Sequence, residues 1–301
     1  MSLIRKLFYD GEWNIAIRKY KDGSLFSYEG SFKAIPHHKK YWFADPLVYN
    51  YKGVSYLFCE AFDRPNYCGI IGYFVIDENG GVGEFKELIK ENYHLSFPCV
   101  FERNGKVYML PESGENEELH LYEAKDFPNK WEKVATFKPE SFADPTVFIH
   151  DNKVMVFIYS EKAPYVGRIY ELDMDKYLLN LVETVNYEEN VGRPAGYFFK
   201  RNGELYRPTQ NSRELYGKSL CFNKINSVEP FKEECVLEFD NSKVIVNNKA
   251  GVDRIHTYSC DDKFECIDYN NFHFDLFKRF KIMKRAKRVK QRKEENRKAK
   301  V

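Results

Sequence analysis

Residues 45–60 read DPLVYNYKGVSYLFCE, and the chain repeats this pattern three more times. The later copies are FPCVFERNGKVYMLPE at 97–112, DPTVFIHDNKVMVFI at 144–158 and AGYFFKRNGELYRPTQ at 195–210. Each copy has a Pro or Gly anchor, a short apolar run, a turn residue seven positions after the anchor, and a second apolar run. The turn residue is Gly or Asn, which tolerate the positive φ of a tight hairpin. Each copy therefore predicts a two-stranded hairpin.

The spacing of the copies indicates how the hairpins are arranged. The anchors Pro46, Pro98, Pro145 and Gly196 are separated by 52, 47 and 51 residues. A period near 50 is typical of the blades of a β-propeller. A fifth unit begins at 255–258, with 261–263 as its turn. We predict an all-β, five-bladed β-propeller over residues 1–274, with its units at about 35–272 and an N-terminal lead-in strand. An irregular β-sandwich of hairpins is the alternative.

The composition excludes several classes of protein. The 301 residues are 43% hydrophobic and 31% charged, with a mean hydropathy of −0.59, which excludes disorder along most of the chain. No apolar run approaches the roughly 20 residues that cross a bilayer, and the first residues lack the features of a signal peptide. Seven scattered cysteines without a CxxC pair argue against a zinc site or a disulfide framework. We therefore expect a cytoplasmic location.

The net charge of +2 hides a basic end. Residues 275–301 hold thirteen Lys or Arg and three acids, a net +10, so the rest of the chain carries about −8. The spacing of Phe277, Phe280, Ile282, Met283 and Ala286 predicts a basic amphipathic helix. Such a helix can bind an anionic membrane surface, here the inner face of the cell membrane. A solvated basic terminus is the alternative, and nucleic-acid binding is disfavoured because the acidic body repels phosphate.

The propeller geometry predicts where a functional site lies. The inner strand of each blade lines the central channel, so residues that start these strands converge at one end of the axis, here called the mouth. The inner-strand residues expected there are Asp45, Ser96, Asp144, Arg193, Arg254 and His256. The second strands return Glu60, Glu112, Arg207 and Gln210 to the same end. Aromatic walls are expected from Trp42, Phe62 and Tyr216.

An ordered set of short motifs carries a family resemblance. The motifs are WFADP at 42–46, HLSFP at 94–98, LPES at 110–113, ADP at 143–145, GRPAG at 192–196, RPTQ at 207–210, YG at 216–217 and HT at 256–257. Over residues 12–260 the chain resembles the N-terminal domain of plant glucosamine inositol phosphorylceramide transferases, which also occurs alone in bacteria. That domain is related to the five-bladed propellers of arabinanase and β-xylosidase type glycoside hydrolases. The resemblance implies carbohydrate chemistry in the synthesis of surface polysaccharides or glycolipids.

The resemblance also implies roles for the acids. Asp45 matches the general base of those hydrolases, and Asp144 matches the neighbour that tunes the acid. The place of their general acid, at the opening of the fourth blade, holds Arg193. Glu112 or Glu60 could supply the acid from another blade, because glycoside chemistry requires two carboxyl groups at the anomeric carbon. Alternatively, either glutamate forms only an ion pair.

The arginines point to an anionic ligand. Arg193, Arg207 and Arg254 are predicted at the mouth, where guanidinium groups could bind a phosphate in bidentate fashion. Alternatively, they neutralise the acids in a structural network. His256 could move a proton or bind a hydroxyl. Asp173-Met174-Asp175 matches an Asp-x-Asp metal motif, but we place it on an outer blade strand or turn and expect neither a metal nor a cofactor.

Three functions remain open from the sequence. The first is a glycosyltransferase-like enzyme that moves a sugar from a phosphate-activated donor, such as a nucleotide sugar, to a glycan or glycolipid acceptor. Asp45, Asp144 and Glu112 would be its catalytic residues. Its substrate-binding residues would be Glu60, Ser96, Arg193, Arg207, Gln210, Tyr216, Arg254 and His256. The second is a glycoside hydrolase of arabinofuranosidase or xylosidase type, and the third is a non-catalytic glycan-binding partner of a separate transferase.

Overall fold

The computed structural model describes residues 8–21, 25–140, 143–160, 162 and 164–299. These residues form five four-stranded antiparallel sheets arranged as the blades of a propeller, followed by one α-helix. The predicted five-bladed β-propeller is confirmed. The predicted hairpin turns are also confirmed, since Gly53, Gly105, Asn152 and Gly203 each have a positive φ between paired strands.

The strands follow one another along the chain in a regular order. The first are β1 (Tyr9–Asp10), β2 (Trp13–Lys19) and β3 (Lys33–Ala34). Blade one consists of β4 (Tyr41–Tyr51), β5 (Val54–Asp63), β6 (Cys68–Ile76) and β7 (Lys86–Ile89). Blade two consists of β8 (Ser96–Arg103), β9 (Lys106–Glu112), β10 (Leu119–Asp126) and β11 (Lys130–Phe137). Blade three consists of β12 (Ala143–His150), β13 (Lys153–Ser160), β14 (Tyr165–Asp173) and β15 (Leu178–Tyr187).

The last two blades differ in how they are built. Blade four consists of β16 (Phe199–Arg201), β17 (Glu204–Asn211), β18 (Ser219–Val228) and β19 (Phe231–Glu238). A short hairpin, β20 (Ile245–Val246) with β21 (Lys249–Ala250), follows it. Blade five takes its inner strands, β22 (Tyr258–Cys260) and β23 (Phe264–Asn270), from the end of the chain. Its outer strands are β2 and β3 from the beginning. Finally, β24 (His273–Phe274) pairs with β1.

The N-terminal strand closes the ring. We predicted β2 as a lead-in strand, but it is the third strand of blade five and pairs with β23 from Trp13↔Asn270 to Lys19↔Phe264. The repeat pattern marks only the inner hairpin of each blade, so it could not locate the outer half of blade five at the other end of the chain. Pairing the two ends removes two free strand edges and makes the propeller one continuous ring.

The inner strands share a bulge at their mouth end. Asp45, Phe97 and Asp144 each precede a proline and have φ of 51°, 45° and 46°. The pairing register of each strand shifts at the same place. A bulge of this kind releases one residue from the ladder and re-aims its side chain, and proline is tolerated there because no ladder N–H is needed. The bulges therefore turn selected side chains toward the neighbouring blade.

The hydrophobic core lies between adjacent blades. One cluster joins blades two and three through fully buried side chains such as Leu110 and Val156. Another joins blades four and five through Phe222, Tyr258 and Ile267. Packing between blades fixes their rotation about the axis, and so positions the inner-strand ends.

The chain ends in α1 (Lys278–Ala299), which lies against blades one and two. The Arg292 guanidinium forms a bidentate ion pair with Glu115 at 2.8 and 3.0 Å. It also donates to the carbonyls of Asn66 and Tyr67, both at 3.0 Å. Asn296 is buried, and its amide reaches the Asn92 carbonyl at 3.4 Å. Within the described residues, no helix has both the length and the apolar character needed to cross a membrane.

We expect Arg292→Ala to release the helix from the propeller. The Arg292 and Glu115 side chains are only 14% and 9% exposed, and breaking such a buried pair typically costs about 3–5 kcal/mol. Cleavage of the tail by trypsin should therefore become at least roughly tenfold faster, while the propeller stays intact. The matched control is Arg297→Ala, because Arg297 pairs with Glu117 at 3.8 Å on the exposed side. Equal cleavage rates for both variants would contradict the docking described here.

Candidate functional site

The mouth is held together by Asp45, which joins three blades. Its Oδ2 accepts the Phe97 N–H of blade two at 3.1 Å, and its Oδ1 accepts the Thr257 hydroxyl of blade five at 3.1 Å. The Asp45 N–H in turn donates to Asp268 Oδ2 at 3.1 Å. The predicted convergence of residues far apart in sequence is therefore present in the structure.

Asp144 forms the second centre of the mouth, and both of its carboxylate oxygens accept hydrogen bonds. Its N–H donates to Glu112 Oε2 at 2.9 Å. Arg193 donates to both carboxylate oxygens, with Nε–Oδ2 at 2.5 Å and Nη2–Oδ1 at 3.1 Å, and the Gln210 amide adds a bond at 2.9 Å. Asp144 is 1% exposed. A carboxylate so enclosed can position and tune its neighbours, but it has little room to meet a substrate.

Glu112 is a carboxyl group that favours its neutral form. Burial, followed by the charge of Asp144, raises its pKa to about 8, although Arg193 acts in the opposite direction. Its contacts to Asp144 and Arg193 both use Oε2, so Oε1 keeps its hydrogen-bonding capacity. Its side chain is 20% exposed, more than that of Asp144. Glu112 is therefore able to donate a proton or a hydrogen bond at neutral pH.

Asp45 is more acidic than Glu112. Burial raises its pKa to about 6, and the nearby Asp144 and Asp268 add to this, while His256 and Arg193 lower it. At neutral pH Asp45 is mainly ionised. Each of its oxygens accepts one hydrogen bond, so each retains a lone pair for a second. One mouth thus contains an ionised carboxylate beside a neutral carboxylic acid.

Glu60 adds a third acid to the mouth. It is 5% exposed, and its Oε1 has no hydrogen-bond partner among the described residues. Burial and the charge of Asp45 raise its pKa well above its ordinary value. His94 Nε2 lies 3.5 Å from Glu60 Oε1, but His94 is neutral, since burial lowers its pKa to about 3 and its Nδ1 accepts the Gly69 N–H. Burial therefore favours the neutral form of Glu60, and the neutral His94 does not form an ion pair with it.

His256 stands between an aromatic ring and two aspartates. It stacks on Trp13 at 3.9 Å, and Tyr216 meets its edge at 5.3 Å. Its Nδ1 lies 2.5 Å from Asp268 Oδ2 and its Nε2 lies 3.5 Å from Asp45 Oδ1. Burial lowers the pKa of His256, but the two aspartates outweigh burial and the net shift is upward.

Two members of this wall were not predicted from the sequence. Trp13 lies on β2, which pattern analysis placed outside the blades. Asp268 lies mid-strand in β23, and it accepts the N–H groups of His256 and Thr257 at 3.0 and 2.9 Å as well as that of Asp45. Its sequence signal is an acid flanked by Ile267 and Tyr269 within a strand, where a buried charge needs a partner.

Asp45, His256 and Asp268 also bring three metal-ligating atoms within 4.8 Å of one another. A cation there would compete with the hydrogen bonds that these aspartates accept from the backbone of blades two and five. The oxygens of both aspartates are already used as acceptors in closing the ring.

The three predicted arginines have different environments. Arg193 pairs with Asp144 and Glu112 and lies 5.2 Å from the Tyr216 ring. Arg207 is 0% exposed and forms two bonds of 2.7 Å with Glu233. It is enclosed between blades three and four, so we assign it no ligand. Arg193 thus neutralises two acids of the mouth, as the alternative had it, whereas Arg207 pairs with Glu233 instead of with those acids.

Arg254 differs from both. Its guanidinium lies between the rings of Trp13 and Phe272, at 5.0 and 4.5 Å. No described carboxylate lies within 4.0 Å of it, and its Nε is buried without a hydrogen bond. Burial lowers its pKa. Of the three arginines, Arg254 is the one whose charge is left for an anion.

The remaining predicted residues have simpler positions. Ser96 is 6% exposed and pairs with Glu112 across β8 and β9. Trp42 and Phe62 stack at 4.4 Å at the mouth end of blade one. Tyr216 is 41% exposed and faces the mouth through its contacts with Arg193 and His256. Asp173, the last residue of β14, accepts the N–H groups of residues 175 and 176 in the turn that follows.

Comparison with known proteins agrees with this geometry. The family model described as glucosamine inositolphosphorylceramide transferase 1, N-terminal, matches residues 33–261. The chain belongs to this family. A glucosamine inositolphosphorylceramide transferase 1 of Arabidopsis thaliana is 32% identical over 229 residues, which are 71% of this chain and 30% of that protein. The one from Oryza sativa subsp. indica is 29% identical over 204 residues, covering 63% and 27%. The chain thus spans less than a third of the length of these transferases.

Solved structures support the fold of this family member. A GH43 beta-xylosidase/alpha-arabinofuranosidase from a compost microbial metagenome superposes with a TM-score of 0.53 at 13% identity, covering 78% of this chain and 91% of that one. An alpha-L-arabinofuranosidase from Clostridium thermocellum gives 0.52 at 14% identity, covering 72% and 77%. At this identity the likeness establishes the propeller fold. Together with the family, it places the chain among carbohydrate-active enzyme folds.

We expect Arg193→Ala to destabilise the propeller strongly. The side chains of Arg193 and Asp144 are 10% and 2% exposed, so removing the cation leaves a buried charge, at a cost of about 3–5 kcal/mol. Urea unfolding measures this loss. Arg103→Ala is the control, because Arg103 pairs with Asn152 on the exposed turn end. Adding Asp144→Asn to Arg193→Ala should restore part of the stability, since it removes the uncompensated charge. A loss that is strictly additive in the double variant would refute the coupling.

Proposed function

We propose that the mouth catalyses glycosyl transfer from a phosphate-activated sugar donor to a glycan or glycolipid acceptor. The observation that carries the proposal is the pair Asp45 and Glu112, whose environments raise their pKa values to about 6 and about 8. Two carboxyl groups with separated pKa values in one site are suited to base and acid roles. Membership of a transferase domain family supports the reaction class.

The proposed step uses few groups. Asp45 accepts the proton of the acceptor hydroxyl as that oxygen bonds to the anomeric carbon of the donor. The bond from this carbon to the phosphate oxygen breaks, and the phosphate leaves with the electron pair. Arg254 meets the charge of the leaving group. Glu112, which is neutral, donates a hydrogen bond to the sugar, and Asp144 holds Glu112 and Arg193 in position.

Hydrolysis of a glycoside is the second candidate, and Glu112 is the observation that favours it. A sugar or alcohol leaving group must be protonated, and a carboxylic acid with a pKa near 8 can supply that proton at neutral pH. In this case Asp45 would activate a water molecule.

The seven free cysteines support the cytoplasm as the proposed location for either reaction.

A thermal-shift panel of nucleotide sugars and free sugars tests the donor. We expect a nucleotide sugar to raise the unfolding temperature of the wild-type chain, and Arg254→Ala to remove most of the shift. Free sugars should give a smaller shift that is equal in both proteins. Arg103→Ala is the matched control, since it removes an arginine far from the mouth. A shift that is unchanged in Arg254→Ala would rule out the anion-binding role of Arg254.

The Glu112→Gln variant distinguishes glycosyl transfer from glycoside hydrolysis. Turnover by the wild type should be greatest between about pH 6 and about pH 8, because Asp45 must be ionised and Glu112 neutral. In a transferase the Gln amide still donates a hydrogen bond, so activity should persist and the alkaline decline should vanish. In a hydrolase the lost proton should lower the cleavage of chromogenic pentosides by roughly 10²–10⁴-fold.

Asp45→Asn should abolish either reaction. A non-catalytic role predicts a different pair of results. The wild type would show no turnover, and a variant lacking both the Asp45 and the Asp144 carboxylate would still bind sugar. These results would identify a glycan-binding partner of a separate transferase.

A further inference from the structure

An apolar surface lies exposed where the chain leaves the propeller. It consists of Phe274, Leu276, Phe277, Phe280 and Met283, here called the tail face. Their exposures are 59%, 64%, 65%, 66% and 71%. Five large apolar side chains within ten residues form a patch of the kind that marks an interaction site.

The tail face is exposed although the helix itself is docked. The helix contacts the propeller through Arg285, Arg292 and Asn296, whose spacing of seven and four residues places them on one side. Phe280 and Met283, followed by Lys287, have a spacing of three and four residues on the opposite side. Of the residues that we predicted as an amphipathic stripe, Phe277, Phe280, Ile282 and Met283 are 65%, 66%, 52% and 71% exposed, so they do not pack on the propeller.

Unpaired basic residues surround the tail face. Arg279, Lys287 and Lys290 lie on the same side of the helix, and none of them has a described carboxylate within 4.0 Å. Each such residue near an anionic leaflet contributes on the order of 1 kcal/mol. Apolar side chains ringed by unpaired cations fit the boundary between lipid headgroups and acyl chains. Nucleic acid would use the cations but not the five apolar side chains.

The tail face lies at the rim of the mouth. Phe274 belongs to β24, which pairs with β1 directly before Trp13, and Trp13 stacks on His256 of the mouth. On the next blade, the Arg285 guanidinium lies 5.0 Å from the Phe62 ring. Its positive charge also acts on Glu60, where it offsets part of the rise in pKa that burial causes. Whatever binds the tail face is therefore held next to the mouth.

We propose that the tail face binds the surface of an anionic bilayer and holds the mouth beside the lipid headgroups. Placement of the mouth beside the headgroups rests on the proposed function, because such placement would present a lipid-linked acceptor to the mouth. Binding of the tail face to the bilayer does not depend on sugar chemistry. The apolar residues enter the headgroup region, and the surrounding lysines and arginines neutralise the lipid charge.

Flotation of the full chain with lipid vesicles tests this inference. We expect binding to vesicles of equal parts phosphatidylcholine and phosphatidylglycerol, little binding to phosphatidylcholine alone, and weaker binding at high salt. Phe280→Ser combined with Met283→Ser should weaken binding at least roughly tenfold. Because both side chains are exposed, the unfolding temperature of this variant should match that of the wild type.

The matched control is Leu181→Ser with Val182→Ser. These residues are 53% and 47% exposed on the outer strand of blade three, so the control removes a similar apolar area far from the tail. It should bind vesicles as the wild type does. Equal binding of the wild type to both vesicle types, or unchanged binding of the Phe280/Met283 variant, would overturn the inference. Binding to duplex DNA without binding to vesicles would overturn it in favour of a nucleic-acid partner. A transfer reaction that fails while anionic vesicles bind would refute only the proposed function.

Discussion

The hydrogen bond from a carboxylate of one blade to the backbone of the next is the interaction on which the mouth depends. Asp45 accepts an N–H from blade two, Glu112 accepts one from blade three, and Asp268 accepts one from blade one. Each bond satisfies a backbone donor that the bulge leaves outside the sheet ladder. The same carboxyl groups form the candidate site, so each of them both links two blades and belongs to the site. Their separation is consequently set by the packing of the blades rather than by a mobile loop.

The bulges allow the carboxyl groups this double role, but they place strain on the local backbone. A residue with φ near 50° that also precedes a proline is in a sparsely populated conformation, and Asp45 and Asp144 both adopt it. Such backbone strain persists where the surroundings determine it, commonly at functional sites. Here the surroundings are the hydrogen bonds just described. In a regular strand these side chains would point to one face or the other of their own sheet. The N–H groups of the neighbouring blade would then remain without partners.

The sequence predicted the features that repeat and missed those that depend on one distant partner. The turn at Gly53 and the anchor at Pro46 recur in later blades, so their spacing identified the propeller and the convergence of Asp45 with Asp144. Nothing around Arg207 distinguishes it from Arg254, yet Arg207 pairs with Glu233 inside the blades and Arg254 does not. The role of Trp13 was hidden because ring closure joins it to residues more than 240 positions away, such as Asn270 and His256.

The charge balance of the mouth explains why neutral acids occur there. Five carboxyl groups, those of Asp45, Glu60, Glu112, Asp144 and Asp268, act on one another, whereas the basic side chains of the mouth are Arg193, Arg254 and His256, whose pKa the aspartates raise. Arg193 is bound closely to Asp144, and His256 lies between Asp45 and Asp268. Arg193 Nη2 lies 3.5 Å from Glu112 Oε2, but burial outweighs its charge and raises the pKa of Glu112, and burial likewise raises the pKa of Glu60, so both glutamates are shifted toward their neutral forms. A protonated carboxyl group both donates and accepts hydrogen bonds, as sugar hydroxyls do. The blade packing that closes the ring therefore also creates a surface suited to binding a polar, uncharged sugar beside one ionised base.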